Sequence, residues 1–268
     1  MPAADVVRST DEDGDLALIR DAARAGGEIA MRYFQRNPET WLKAGQSPVS
    51  EADFAVDRYL RETLTAARPD YGWLSEETAD SPARLAARRT FVVDPIDGTR
   101  AFLEGNPTWC VSIAVVENGE PLAGVLDCAA RGEIFEAAVG RGAFRNASPV
   151  RVAPQSETPL VAGPKALLDQ SSGGWPANFR RAPYVPSLAY RVAMVASGEL
   201  DATFVKPNAH DWDIAAADLI LREAGGRLVD LRGKELHYAG EDTRHGALVA
   251  GSGTLVDRLT AMIAGIPG

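Results

Sequence analysis

The order of segments along the chain predicts a mixed fold, α+β or layered α/β, and three observations carry that reading. Two amphipathic helical stretches come first. A set of short apolar runs follows, two of them joined through Asn118-Gly119, and strands then alternate with helices to the end. No segment repeats another and none is of low complexity.

Taken in order, Asp15 to Arg36 puts Leu16, Ile19, Ala23, Ile29, Tyr33 and Phe34 on roughly one helical stripe. Gly26-Gly27 weakens it where another backbone is expected to pack closely, and Asn37-Pro38 stops it. Ser50 to Ala67 predicts a second helix, with Ser50 as N-cap and Asp53 three residues on, an Asp version of the capping box. Thr90 to Asp94 reads as a buried strand that ends in an acid and Pro95. Thr108 to Glu117 and Pro121 to Cys128 predict a hairpin, because Asn-Gly accepts the positive φ angles of a tight turn. Glu133 to Val139 extends that meander, and the Pro- and Gly-rich stretch from Ser148 to Pro186 marks a seam. Beyond it come strands at 160–162, 201–205, 227–230 and 247–250, and helices at 187–197, 212–224 and 254–264. Residues 1–14 are expected as a flexible N-terminus. Residues 15–150 form an N-terminal α+β part and 151–268 a C-terminal α/β part of one catalytic unit.

Composition narrows the function. The chain has 268 residues, 46% of them hydrophobic and 24% charged, so disordered and collagen-like classes are excluded. Twenty-eight basic against 37 acidic residues give a net charge of −9, a poor match to nucleic acid or an anionic membrane. No apolar run approaches a membrane span, and Met1 to Asp15 is polar and acidic, unlike a signal peptide. A cytoplasmic protein is expected. Two cysteines, Cys110 and Cys128, make no disulfide framework, and the three histidines form no HExxH pattern. Carboxylates are the abundant chemistry.

The densest cluster of them is Val92-Val93-Asp94-Pro95-Ile96-Asp97-Gly98-Thr99. Two acids around a fixed turn can converge on one cation, and Gly98, Thr99 and Arg100 can open a helix toward an anion. The same spacing also reads as a strand-to-helix turn in which Asp97 merely caps. Ser75-Glu76-Glu77 follows apolar Trp73-Leu74, although adjacent glutamates are common on solvated loops. His210-Asp211-Trp212-Asp213, before alanines 215 to 217, reads equally as an N-cap and a core helix. His210 stands either beside a leaving group or simply in a loop, Trp109 and Cys110 read as core or subunit contact, and Asp218 as a helix-surface acid.

Together these pieces resemble the inositol monophosphatase superfamily of magnesium-dependent phosphatases. The match runs in order through Asp53, the Glu76-Glu77 pair, Asp94-Pro-Ile-Asp-Gly-Thr99 and Trp212-Asp213, with Gly140-Arg141-Gly142-Ala143-Phe144 and Glu223-Ala224-Gly225-Gly226 as further framework. The resemblance implies a layered αβαβα sandwich and two or three Mg²⁺ ions. Glu76, Asp94 and the Ile96 carbonyl would hold one ion, Asp94, Asp97 and Asp213 a second, and a weaker third would sit near Glu76. Thr99 and Asp53, with Glu76 as neighbour, would take a proton from the attacking water, while the Gly98 and Thr99 amides cradle the phosphate. Hard cations want such oxygen donors.

For the substrate, Ser47-Pro48-Val49-Ser50 is similar to the turn of bisphosphate nucleotidases and histidinol phosphatases. Lys43, Arg100 and Arg191 are cations beside matched segments that a second phosphate would want. The expected reaction is therefore Mg²⁺-dependent hydrolysis of a small phosphorylated metabolite, 3′-phosphoadenosine 5′-phosphate first, with inositol 1-phosphate or histidinol phosphate as alternatives. The resemblance implies a homodimer. A non-catalytic regulatory or binding protein is the rival from another class.

Overall fold

The computed structural model describes residues 3–43, 47–165, 168 and 178–263, and five layers emerge from it. The outer layer is α1 (Ala3–Met31) with α2 (Glu51–Ala67). Beneath lies a seven-stranded sheet in the order β3 (Gly72–Ser75), β4 (Arg89–Asp97), β5 (Cys110–Glu117), β6 (Glu120–Cys128), β7 (Glu133–Ala138), β8 (Ala143–Arg145) and β9 (Ser148–Val150). Helices α4 (Leu188–Ala196) and α5 (Asp211–Glu223) fill the middle. A five-stranded sheet follows, in the order β11 (Arg180–Arg181), β10 (Leu160–Ala162), β12 (Ala202–Val205), β16 (Leu248–Ser252) and β14 (Gly226–Asp230), and α6 (Gly253–Ile263) covers its far face. Two small ribbons lie outside the two sheets, β1 (Thr40–Leu42) with β2 (Pro48–Ser50) and β13 (Ala209–His210) with β15 (Arg244–His245). Among the described residues no helix is long and apolar enough to cross a membrane.

The first helix begins at Ala3 and ends at Met31, so it reaches back into the segment expected to precede it and stops before Asn37-Pro38. Polar residues there carried no apolar stripe from which a helix could be read. The Asn118-Gly119 turn closes β5 onto β6 with φ of 54° and 84°. Strands β3, β8 and β9, each three or four residues long, were not read from the sequence. Asp218 is corrected outright. It is 2% exposed and accepts the Tyr238 hydroxyl at 2.8 Å, held in the core between α5 and the loop after β14. The alanines of α5 admit a close approach of strand to helix: a Cβ on Gly124 of β6 would lie 2.9 Å from the Ala216 carbonyl oxygen and 3.0 Å from its Cα. Gly124→Ala must therefore push backbone against backbone. It should cost about 1–3 kcal/mol of stability in a denaturant titration.

A buried acid outside the site carries a pH prediction of its own. Asp127, at the end of β6, is 8% exposed and borders a groove of about 440 Å³ beside α1. Burial raises its carboxyl to about 7, partly opposed by Arg24. The folded state thus holds this proton more tightly than the unfolded chain, and stability is lost as pH rises from about 4 through about 7. Asp127→Asn should melt higher than the parent at pH 8, by at most about 4 kcal/mol, with the gap closing toward pH 5.

Candidate active site

The site begins with a break in β4. All nine residues of this strand are buried, which is why Phe91-Val92-Val93 at its centre is an unbroken apolar run. Asp94 pairs with Ser112 and Asp97 with Cys110, so β4 spends one residue more than its partner between those points. In a regular strand, residues three apart face opposite sides. The bulge reverses that parity and turns both acids one way, and Pro95, which has no N–H to give the ladder, sits inside it.

Gly98 then takes φ of 95° and opens α3 (Thr99–Leu103). A Cβ there would also meet Ser187 at 3.1 Å and the Thr108 carbonyl at 3.2 Å, so glycine is required twice over. The Thr99 hydroxyl lies 3.1 Å from Asp53 Oδ1 and 3.1 Å from the Ile96 carbonyl.

Asp53 and Asp213 arrive by the same device. Each is the third residue of a helix and accepts the backbone N–H of the residue that caps it. Ser50 N reaches Asp53 Oδ2 at 2.9 Å, and its hydroxyl donates to the same oxygen at 2.6 Å; His210 N reaches Asp213 Oδ2 at 2.7 Å. One oxygen of each carboxylate is thereby tied to the helix start and the other is left to the site. Asp213 comes from a part of the chain far from Asp94 and Asp97, yet one oxygen from each of the three carboxylates lies within 4.8 Å of the others.

Such crowding has an electrostatic cost. Burial, then Glu76, Asp97 and Asp213, push the Asp94 carboxyl well above the usual range. Asp213 is raised in the same way, by burial and by Asp97. Asp97 is raised by burial although Ser187 and the Ala189 and Leu188 amides oppose it, the last two donating at 2.8 and 3.3 Å. Asp53 is raised chiefly by burial, against its Ser50 bonds. Oxygen donors alone, converging without a protein cation among them, suit a hard divalent ion better than a thiol- or imidazole-loving one.

Glu76 follows β3 directly, its N–H on the Val93 carbonyl at 3.2 Å, which sets it beside Asp94. Its carboxylate is engaged by Lys43, whose ammonium lies 2.9 Å from Glu76 Oε1 and 2.5 Å from Glu77 Oε1. Burial works against the Lys43 charge, but the two glutamates outweigh it and lift the amine to about 12. Glu77 moves the other way, to about 7, because burial outweighs Lys43. Arg100 is exposed on α3. Arg191 turns inward: it is 6% exposed and donates to Thr203 Oγ1 at 2.9 Å and to the carbonyls of Val185 and Phe204 at 3.0 and 3.3 Å. His210 ends β13 with its ring stacked on Trp212, centroids 4.4 Å apart. Trp109 and Cys110 are buried core.

Several of the contacts around the site escaped the sequence reading. Ser187 caps α4 through Tyr190 N and also donates to Asp97. Its place at a helix start was legible, its partner was not. Asp57, one turn after Asp53, accepts Ser75 Oγ at 2.5 Å and Thr78 Oγ1 at 2.7 Å and so holds the Glu76-Glu77 turn. Asp211 is fully buried, 2.7 Å from both His245 Nε2 and Ala239 N, and clamps the loop before β15 to the start of α5. A cavity of about 280 Å³ adjoins the acids, bordered by Asp97, Asp213, Arg191 and Lys206 among others.

Comparison with known proteins now adds to this geometry. The family profile described as the inositol monophosphatase family matches residues 11–264. The histidinol-phosphatase of Mycobacterium tuberculosis is 36% identical over 94% of this chain and 98% of its own length. The inositol-1-monophosphatase of Rhizobium meliloti is 32% identical over 92% and 94%. Among solved structures, the IMPase of Thermotoga maritima superposes with a TM-score of 0.83 at 28% identity, covering 94% of this chain and 97% of that one.

Proposed function

This chain belongs to the inositol monophosphatase family of metal-dependent phosphatases, and from that premise we propose that it hydrolyses a small phosphate monoester with Mg²⁺ held by Asp94, Asp97 and Asp213. The observation that carries the reading is the convergence of those three carboxylates next to the Thr99–Asp53 contact. Glu76 and the Ile96 carbonyl would complete the donor set, Glu76 by exchanging Lys43 for an ion. Bound Mg²⁺ would supply charge neutralisation and a more acidic water.

The chain's own residues do the rest. Thr99 accepts the proton of the attacking water as it passes its own to Asp53 Oδ1, whose burial favours the protonated form. The N–H groups at Gly98 and Thr99 receive phosphate oxygens. Ser187 and two backbone amides keep Asp97 from turning away.

For the substrate, we favour 3′-phosphoadenosine 5′-phosphate, with inositol 1-phosphate and histidinol phosphate as the other candidates suggested by the relatives' names. Phosphate release from the three with Mg²⁺, and again after chelation, tests the proposal. Release that survives removal of all divalent ions would refute it.

A further inference from the structure

The cavity beside the acids also bears on the leaving group. Its described acidic lining is limited to Asp97 and Asp213, and both belong to the cluster assigned above to the metal. The remaining charged lining is cationic. Arg191 is buried and the three hydrogen bonds it makes among the described residues go to neutral acceptors, not to a carboxylate. Lys206, exposed just past the end of β12, borders the same space. Leu188 and Val205 add neutral surface to the lining.

Once metal ions offset Asp97 and Asp213, the cavity keeps a positive field from two side chains. We propose that Lys206 is a specificity-determining residue: it biases the cavity toward an anionic or uncharged leaving group and against one that carries an ammonium. The inference rests on the phosphatase reading above and sharpens it. A leaving group bearing a second phosphate gains a partner there. An amino alcohol such as histidinol meets like charge in a partly desolvated space, and a site of the wrong sign discriminates by repulsion as effectively as by attraction. The 36% identity to a histidinol-phosphatase would then reflect shared phosphate chemistry rather than a shared leaving group.

The test compares kcat/KM for 3′-phosphoadenosine 5′-phosphate, inositol 1-phosphate, histidinol phosphate and p-nitrophenyl phosphate in the parent enzyme, Lys206→Gln and Lys206→Glu. The expected result is a parent ratio of bisphosphate to histidinol phosphate above about tenfold. That ratio should fall about tenfold or more in Lys206→Glu and by an intermediate amount in Lys206→Gln, with high salt compressing all three. Hydrolysis of all four substrates with the same ratio in parent and variants would overturn the assignment of Lys206 alone. No Mg²⁺-dependent release by the parent from any substrate, p-nitrophenyl phosphate included, would overturn the phosphatase reading and this inference together.

Discussion

Asp94→Asn should lower kcat by about a thousandfold or more while the apo protein melts higher than the parent. Asp94 is 1% exposed and shares its surroundings with Glu76, Asp97 and Asp213, all of which disfavour its charge. An amide removes one member of that like-charged set without changing its volume, so metal-free stability rises. On the proposed ligand set the same change also takes away one anionic oxygen from the cluster, and loss of a direct metal ligand would exceed the 10–100-fold typical of groups behind the ligands. The pH dependence has a definite sign. In the apo protein these carboxyls protonate above their unfolded range, so the parent loses stability as pH rises through their folded values. Mg²⁺ competes with those protons. The Mg²⁺-induced rise in Tm should therefore be larger at pH 8 than at pH 5 in the parent and nearly absent in Asp94→Asn at both. A parent-like Mg²⁺ response in the variant, with normal turnover at limiting metal, would remove Asp94 from the ligand set.

Thr99→Ala should lower kcat by about 10²–10⁴-fold, the usual contribution of a positioned proton acceptor, with the Mg²⁺-induced stabilisation retained. Its hydroxyl is 3.1 Å from Asp53 Oδ1, and Asp53 is itself fully buried, fixed by Ser50 from two directions. Serine at 99 keeps that oxygen and should recover most of the loss. If the alanine variant instead loses its response to Mg²⁺ along with its activity, the hydroxyl serves the Ile96 carbonyl and the shape of the turn, and its part in proton transfer falls.

How much of this was legible can be traced through individual residues. Asp53 was visible as a capping acid because a helix start has a local grammar, Ser50 followed three residues later by a carboxylate. Asp213 follows the same grammar with His210 in the cap position, a residue type that rarely announces a cap, so its helix was placed one residue late. Asp94 and Asp97 were visible as a pair, but their shared direction depends on a bulge defined against Ser112 and Cys110. Ser187 reaches Asp97 across 90 positions, and no periodicity links two points so far apart. Arg191 looked available to a substrate because a charged residue on a helix is usually solvated. Its helix is instead packed between two sheets, and Thr203 and two carbonyls hold the guanidinium there.

By itself the sequence determined the order of helices and strands through the longer elements, the Asn118-Gly119 turn, the capped start of α2 and the family. These follow from side-chain period, caps and turn preferences, all of which act over a few neighbouring residues. Only the tertiary structure decided that three acids converge within 4.8 Å, that Lys43 bridges Glu76 and Glu77, that Asp218 is core, and that Lys206 and Arg191 share a cavity with Asp97. Each of those is a meeting between segments separated in the chain. What brings them together is the burial of apolar faces on two sheets, a force without direction that leaves no local mark on the residues it gathers.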